Sequence, residues 1–410
     1  CVPLSLSTYP IAQNELPSLP KQFVGGRNRD AISLAQASFN LGKCIKKLYF
    51  APRFYGMQKI LIIQNKRIGD VLIASVIANN FKRKYPDSEV HFMAYDFTTG
   101  VLEHNPNIDK IISIREKELK QWRNLIQFIR WVRQQKYDII FDPYSKTQSR
   151  LICKFSGAKM TIGHKSRKKF GNWNYYTHPT EALQSSNKFC GKAIEDRVHL
   201  IEYAGDFTPI DYAPKLFLSE AEKQEDWLGK YKDKKVIVMG VLGSTPQKSM
   251  PYDYVAQVCD FIASQFDVYL LFNYSPHQKA EAMKIYELCH HKDRIILDIY
   301  APSIRDFIKL MAQCDGLVAN EGGTVHIAKA LDKPTFTIFS PYVNKEHWAS
   351  FEDGMLHTSA HLREEKPELY TAFTYEERKK IEADPSAMYR ELHPDLYLAR
   401  LQAFLARHVG

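Results

Sequence analysis

The chain has 410 residues, with 45% hydrophobic and 25% charged residues and a net charge of +10. That composition is the one expected of a globular protein with room for two domains plus extensions, and no apolar run approaches the ~20 residues that span a bilayer. The positive balance favours an anionic partner, whether a phosphate-rich ligand, an acidic membrane surface or nucleic acid.

Cys1 to Gly26 is Pro-rich and weakly patterned, without a charged-then-apolar leader, and reads as a loose arm. Asp30 to Tyr49 follows a helical period, with Ile32, Ala35, Phe39, Ile45 and Leu48 roughly on one face and Lys43, Lys46, Lys47 and Arg53 towards its end. Such a helix either lies on an anionic membrane or packs on the domain behind it.

From Lys59 short apolar strands alternate with longer amphipathic segments. The pattern predicts strands at Lys59 to Gln64, Glu89 to Ala94, Lys110 to Ile114, Tyr137 to Phe141 and Met160 to Gly163. Helices are predicted at Asp70 to Tyr85 and Leu119 to Gln135. From Pro143 to Phe170 there are eight basic residues and no acidic one, read as a basic loop: Lys146, Arg150, Lys154, Lys159, Lys165, Arg167, Lys168 and Lys169. The chain turns polar around Asp206 to Lys235, and the alternation then restarts. Strands are predicted at Lys235 to Gly240, Val268 to Asn273, Arg294 to Leu297, Gly316 to Ala319 and, last, Pro334 to Phe339. The intervening helices are Tyr252 to Gln265, His277 to His290, Ser303 to Gln313 and Thr324 to Leu331. Alternation of this kind builds parallel sheet with crossover helices, so the fold class is α/β with two doubly wound domains. The expected organisation is an extension with a basic helix (1–56), a first Rossmann-like domain (57–225), a second (226–345) and a helical tail (346–410). The seven cysteines are odd in number and show no metal-like spacing, as expected for free thiols.

Three polar, glycine-bearing segments fall where a strand gives way to a helix, the place where open α/β sheets bind ligands. Gln64 to Leu72 contains Arg67-Ile68-Gly69-Asp70; Asp70 is either a general base facing the cleft or a helix cap. Gly240 to Pro251 offers Gly243, Ser244, Thr245 and Lys248, a phosphate cradle or else a loop with an incidental lysine. Asn320 to Ala328 places Glu321, Gly322, Gly323 and Thr324 at a helix start and His326 one turn in. None of these is a Walker loop or a three-glycine dinucleotide fingerprint, which argues against an ATPase or a nicotinamide enzyme. A diphosphate ligand in the cleft between two domains would lie near both second-domain segments.

The order and spacing of these segments resemble the heptosyltransferases of glycosyltransferase family nine. Arg67-Ile68-Gly69-Asp70-Val71-Leu72, Tyr85-Pro86, Asn105-Pro106-Asn107-Ile108-Asp109, Tyr137 to Asp142, Asn320 to Ala328, Lys333-Pro334 and Phe339-Ser340-Pro341 carry the likeness. It implies a GT-B fold and an inverting, metal-independent transfer of heptose from ADP-heptose to the lipopolysaccharide inner core. It implies Asp70 as catalytic base and Gly243, Ser244, Thr245, Lys248, Glu321, Gly322, Gly323, Thr324 and His326 around the donor. Arg67, Gly69, Lys146, Arg150, His164 and Lys165 would face the anionic acceptor. It implies no cofactor beyond the nucleotide sugar, a lipid-linked anionic acceptor, peripheral contact with the inner membrane of a Gram-negative cell from the cytoplasmic side, and no nucleic-acid partner. The chain departs from the pattern at Glu321, where the family usually has Asp. It departs again at Asn273-Tyr274-Ser275-Pro276-His277, where the family often has a glycine and then a ribose-binding glutamate. Another nucleotide sugar is the alternative donor, and a basic nucleic-acid-binding protein the alternative class.

Overall fold

The computed structural model describes residues 58–165, 174–186, 189–370, 374, 376–377 and 386–410. The expected N-terminal arm and basic helix lie outside the described residues, as do Arg167, Lys168 and Lys169.

The first half runs β1 (Lys59–Ile63), α1 (Ile68–Lys84), β2 (Glu89–Tyr95), β3 (Lys110–Ile114), α2 (Trp122–Gln134), β4 (Ile139–Asp142), α3 (Thr147–Phe155), β5 (Met160–His164), β6 (His178–Thr180) and α4 (Lys192–Ile201). A short α5 (Glu220–Gln224) leads to β7 (Val236–Gly240), α6 (Tyr252–Gln265), β8 (Tyr269–Asn273), α7 (Lys279–Leu288), β9 (Ile295–Ile296), α8 (Ile304–Gln313), β10 (Gly316–Asn320), α9 (Gly323–Ala330), β11 (Thr335–Ile338), α10 (Lys345–Trp348) and β12 (His357–Ala360). Among the described residues three helices close the chain: α11 (Leu362–Glu365), α12 (Ser386–Glu391) and α13 (Leu398–His408).

The strands form two six-stranded sheets, ordered β3-β2-β1-β4-β5-β6 and β12-β11-β10-β7-β8-β9. Every pairing is parallel, as in Ile60↔Val90 and Val318↔Met239. Strand order reverses at β1 in one sheet and at β7 in the other, and a parallel sheet opens its ligand crevice at such a reversal. The three glycine-bearing segments follow β1, β7 and β10, so the topology delivers all three to those two crevices.

β1 and β7 read as unbroken apolar runs because helices cover both faces. In α1 every residue from Gly69 to Phe81 is buried, since the helix packs on its own sheet, on α4 and on α9 of the second half. One hydrophobic cluster accordingly runs from Val71 and Phe81 through Ile194 to Phe307 and Ile327.

Four differences from the sequence reading have physical causes. α1 begins at Ile68, two residues before the expected start, with Arg67 at its N-cap, so Asp70 belongs to the first turn and is not the cap. The expected basic loop contains α3, because Lys146, Arg150 and Lys154 recur every four residues as its polar face while Ser149, Ile152 and Cys153 are buried. β6 and α4 arise in a stretch with no strong pattern: β6 has three residues, and α4 mixes Asp196 and Arg197 into its buried side. β12 follows the strand expected to be last; its sequence, His-Thr-Ser-Ala, lacks an apolar run, and pairing with β11 places it at the sheet edge.

Candidate active site at the meeting of two helix starts

β1 ends in a short turn that aims α1 back along the sheet. Asp70, in the first turn of α1, is 5% exposed. Its Oδ1 accepts hydrogen bonds from Lys66 Nζ at 2.9 Å and from Arg197 Nη2 of α4 at 2.8 Å. Arg67 is exposed beside it. Both polar atoms of the Gln64 side-chain amide and the side-chain oxygen of Asn65 are buried at the end of β1 without a hydrogen-bond partner among the described residues.

In the second half the turn after β7 closes tightly. A Cβ on Gly243 would come within 2.1 Å of the Lys248 carbonyl oxygen, so only glycine fits. Gly243 N donates to Ser249 Oγ (2.9 Å), and Gln278 Nε2 donates to Gly243 O (2.8 Å), tying the turn to the segment after β8. Ser244 and Thr245 are exposed and line a cavity of about 370 Å³ with Tyr252, His277 and Gln278. Lys248 Nζ lies 3.2 Å from Glu321 Oε1. The other Glu321 oxygen accepts from Ser340 N at 2.7 Å, and burial pushes this carboxyl up despite both contacts. The extra methylene of glutamate therefore reaches inward to Ser340 and Lys248. Gly322, Gly323 and Thr324 follow directly and open α9.

The two halves touch where α1 and α9 begin. A Cβ on Gly69 would lie 2.7 Å from His326 Cδ2, and one on Gly323 would lie 3.2 Å from Ile68 Cβ. Bare backbone at both positions lets the helix starts close on one another. Burial, reinforced by the Lys329 charge and opposed by Asp70, pushes the His326 imidazole down to about 4. Trp348 of α10 stands over the same place: its ring is 6.0 Å from that of His326 and 6.0 Å from Lys66 Nζ. The structure thus gathers Gly69, Asp70, Gly323 and His326, which sequence reasoning named, with Arg197, His347 and Trp348, which it missed. Arg197 is 127 positions from Asp70, and no local pattern signals a pairing over that distance.

The expected acceptor residues are partly dispersed. Lys146 is exposed at the N-cap of α3. Arg150 donates to His164 O (3.3 Å), and its guanidinium carbon lies 6.0 Å from the centre of the Tyr175 ring. His164 Nδ1 meets Thr180 Oγ1 at 3.0 Å, and burial takes its imidazole down to about 4. Lys165 is paired with Glu181 at 2.7 Å. Lys154 donates to Asn174 O, and Lys159 pairs with Asp138. Asp138 precedes β4 and holds Lys59 N at the start of β1, so Lys159 sits at the N-terminal ends of the strands, opposite the end that carries Asp70. The basic run is therefore not one face. Beneath it, Asp142 is buried and pushed up to about 6, holding Ser145 N (2.8 Å) and the Tyr176 hydroxyl (2.7 Å). Those bonds fix the turn from which Lys146 projects.

The buried histidines set a pH dependence. His164, His326, His347 and His357 all fall from the usual 6.5 to about 4, burial being the largest cause in each. As pH falls, the unfolded chain binds these protons before the folded one does, so their stability is present above about 6.5 and lost on the way down to about 4. Asp142 runs the other way, its contribution lost as pH rises through about 6, but it is one group against four. The urea midpoint is expected to fall steadily from pH 7 to pH 4.5; a flat midpoint over that range would contradict neutral burial of these rings.

No group of three or more His, Cys, Asp or Glu side chains arranged to hold a metal ion occurs among the described residues, and no helix among them is long and apolar enough to cross a membrane.

Comparison with known proteins places this architecture. Residues 125–378 match the sequence profile of glycosyltransferase family 9 (heptosyltransferase). The chain belongs to this family. Lipopolysaccharide heptosyltransferase 1 of Campylobacter coli is 26% identical over 292 residues, spanning 68% of this chain and 83% of that protein. A family 9 glycosyl transferase from Veillonella parvula superposes with a TM-score of 0.69 at 14% identity, covering 87% of this chain and 99% of that one. The E. coli ADP-heptose lps heptosyltransferase II superposes at 0.62 and 16% identity, covering 85% and 99%. The two parallel-sheet halves are those of the GT-B fold, and the family 9 chain described here is a glycosyltransferase.

Proposed function

We propose that this family 9 enzyme transfers heptose from ADP-heptose to a Kdo or heptose hydroxyl of the lipopolysaccharide inner core, with inversion and without a metal ion. The observation that carries the reading is the buried Asp70 carboxylate of the first half, set against His326 of the second where two helix starts meet. The relatives named for lipopolysaccharide and for ADP-heptose support the choice of substrates.

In this reading 57–225 receives the acceptor and 226–345 the donor. The acceptor oxygen attacks the anomeric carbon on the face opposite the diphosphate. Asp70 takes the hydroxyl proton, the bond from the anomeric carbon to the diphosphate oxygen breaks, and ADP departs with the electron pair. Charge develops on the diphosphate, where Lys248, the amides around Gly243, Gly322 and Gly323 and the hydroxyls of Ser244, Thr245 and Thr324 would stabilise it. The neutral ring of His326 offers a hydrogen-bonding group there without a competing charge. Arg67, Gly69, Lys146, Arg150, His164 and Lys165 form the acceptor side, and Glu321 acts through its contact with Lys248. The acceptor is lipid-anchored, so the reaction occurs at the inner-membrane surface of a Gram-negative cell.

Thermal-shift measurements with ADP-heptose and with UDP- and GDP-sugars test the donor, and mass spectrometry of a truncated lipopolysaccharide acceptor tests the product. ADP-heptose is expected to stabilise the protein and add one heptose. One observation favours a second donor: just after Asn273 to His277, where the family often carries a ribose-binding glutamate, Gln278 is bonded to Gly243 O. Stabilisation by a UDP- or GDP-sugar alone would establish that reading instead. Turnover is expected to persist in EDTA; loss restored by Mg²⁺ would overturn the metal-free mechanism.

A further inference from the structure

Arg197 is 7% exposed and comes from α4, an element that supplies none of the residues assigned to donor or acceptor. Its guanidinium is anchored on its own helix, Nη1 donating to Ala193 O at 2.8 Å, while Nη2 donates to Asp70 Oδ1 at 2.8 Å. Lys66 reaches the same oxygen from the turn before α1. The cations differ in rigidity: the Lys66 side chain is 43% exposed, whereas that of Arg197 is 9% exposed. Lys66 is half-exposed, whereas Arg197 is buried and held at both ends of its guanidinium.

We infer that Arg197 is a positioning residue for the transfer, holding the Asp70 carboxylate by Oδ1 so that Oδ2 is the oxygen turned to the acceptor hydroxyl. A charge-assisted bond to one oxygen from a buried, permanently charged group keeps the carboxylate ionised and favours the rotation that leaves its second oxygen free. A general base works only within hydrogen-bond reach of its proton, and small misplacements of a reacting group cost large factors in rate. α10 closes over the pair: His347 feels the charges of Lys192 and Arg197, which with burial push it down to about 4, so it adds no positive charge beside Arg197 near neutral pH. Lys192 is itself neutralised by Asp196 at 2.6 Å. The groups facing the pair are thus Lys66, Lys192–Asp196, His326 and His347, and Arg197 is the buried cation on the base.

The inference rests on Asp70 being the base, and the experiment separates the two. Purified full-length enzyme is assayed as Arg197→Ala, Arg197→Lys and Asp70→Asn, with kcat and both KM values measured and melting followed in parallel. Arg197→Ala is expected to lose about 100-fold in kcat with donor KM nearly unchanged. Arg197→Lys should recover at least about tenfold of that loss, and added guanidinium should restore part of the alanine variant's rate. A rise in acceptor KM at constant kcat would overturn the inference, making Arg197 an acceptor ligand. Loss of kcat with neither rescue would also overturn it, leaving a structural ion pair. Should the alanine variant not fold, the lysine variant decides: a tenfold or smaller loss supports positioning, and a loss as deep as that of Asp70→Asn refutes it. If Asp70→Asn keeps its turnover, the base assignment itself fails. If Asp70→Asn is inactive but Arg197→Ala is fully active, only the positioning role does.

Discussion

Asp70→Asn is expected to lower kcat by roughly 10²–10⁴-fold, the usual span for a positioned general base, while donor affinity changes by less than about threefold. Asn keeps the side-chain volume and an oxygen for Arg197 but cannot accept the proton. The substitution removes the negative charge from a site that holds buried Arg197 and half-buried Lys66. Taking one partner from a buried ion pair typically costs about 3–5 kcal/mol of stability, so a lower melting temperature should accompany the loss of rate. Single-turnover assays with saturating donor, together with donor titration by calorimetry, check both halves of the expectation. A donor affinity that fell in step with kcat would show that Asp70 serves binding and not proton transfer.

Lys248→Ala is expected to weaken donor binding by roughly 10–100-fold, the loss that follows from removing one charged hydrogen bond, and to slow the chemical step as well. Lys248 is half-exposed and its ammonium lies 3.2 Å from Glu321, which is 6% exposed on its side chain. The lysine thus neutralises a buried carboxylate while remaining able to reach a diphosphate. Part of any loss in the alanine variant could come from stranding Glu321, which burial already pushes towards its protonated form. The Glu321→Gln variant and the double variant separate the two contributions, because non-additivity measures the coupling between contacting residues. If Lys248→Ala leaves the donor dissociation constant unchanged, the phosphate cradle is misplaced.

The sequence carried a good deal of this. Apolar runs such as Lys-Ile-Leu-Ile-Ile at β1 and Val-Ile-Val-Met-Gly at β7 name buried parallel strands, since strands covered on both faces need no alternation. Residues at strand-to-helix junctions could be singled out for the same reason: the crevice of a parallel sheet is built from those turns, and Gly69, Gly243 and Gly323 advertise close backbone approach. Weakly patterned segments were illegible. α3 hid within a run of basic residues, three of which, Lys146, Arg150 and Lys154, line its polar face. β12 has no apolar run at all, and its place depends on the edge of β11.

What the sequence determined by itself was the class of fold and the place of the three strand-to-helix turns, because both follow from local chemistry at fixed spacing; the roles proposed for Asp70, Lys248 and His326 come from the family resemblance. What only the tertiary structure decided was who stands next to whom. The contact of Gly69 with His326, the bond from Arg197 to Asp70, the cover of Trp348 and the inward turn of Glu321 all join residues distant in the chain or on different elements. Their placement follows from packing two sheets and their helices into one core, a sum of many weak contacts that no short stretch of residues records.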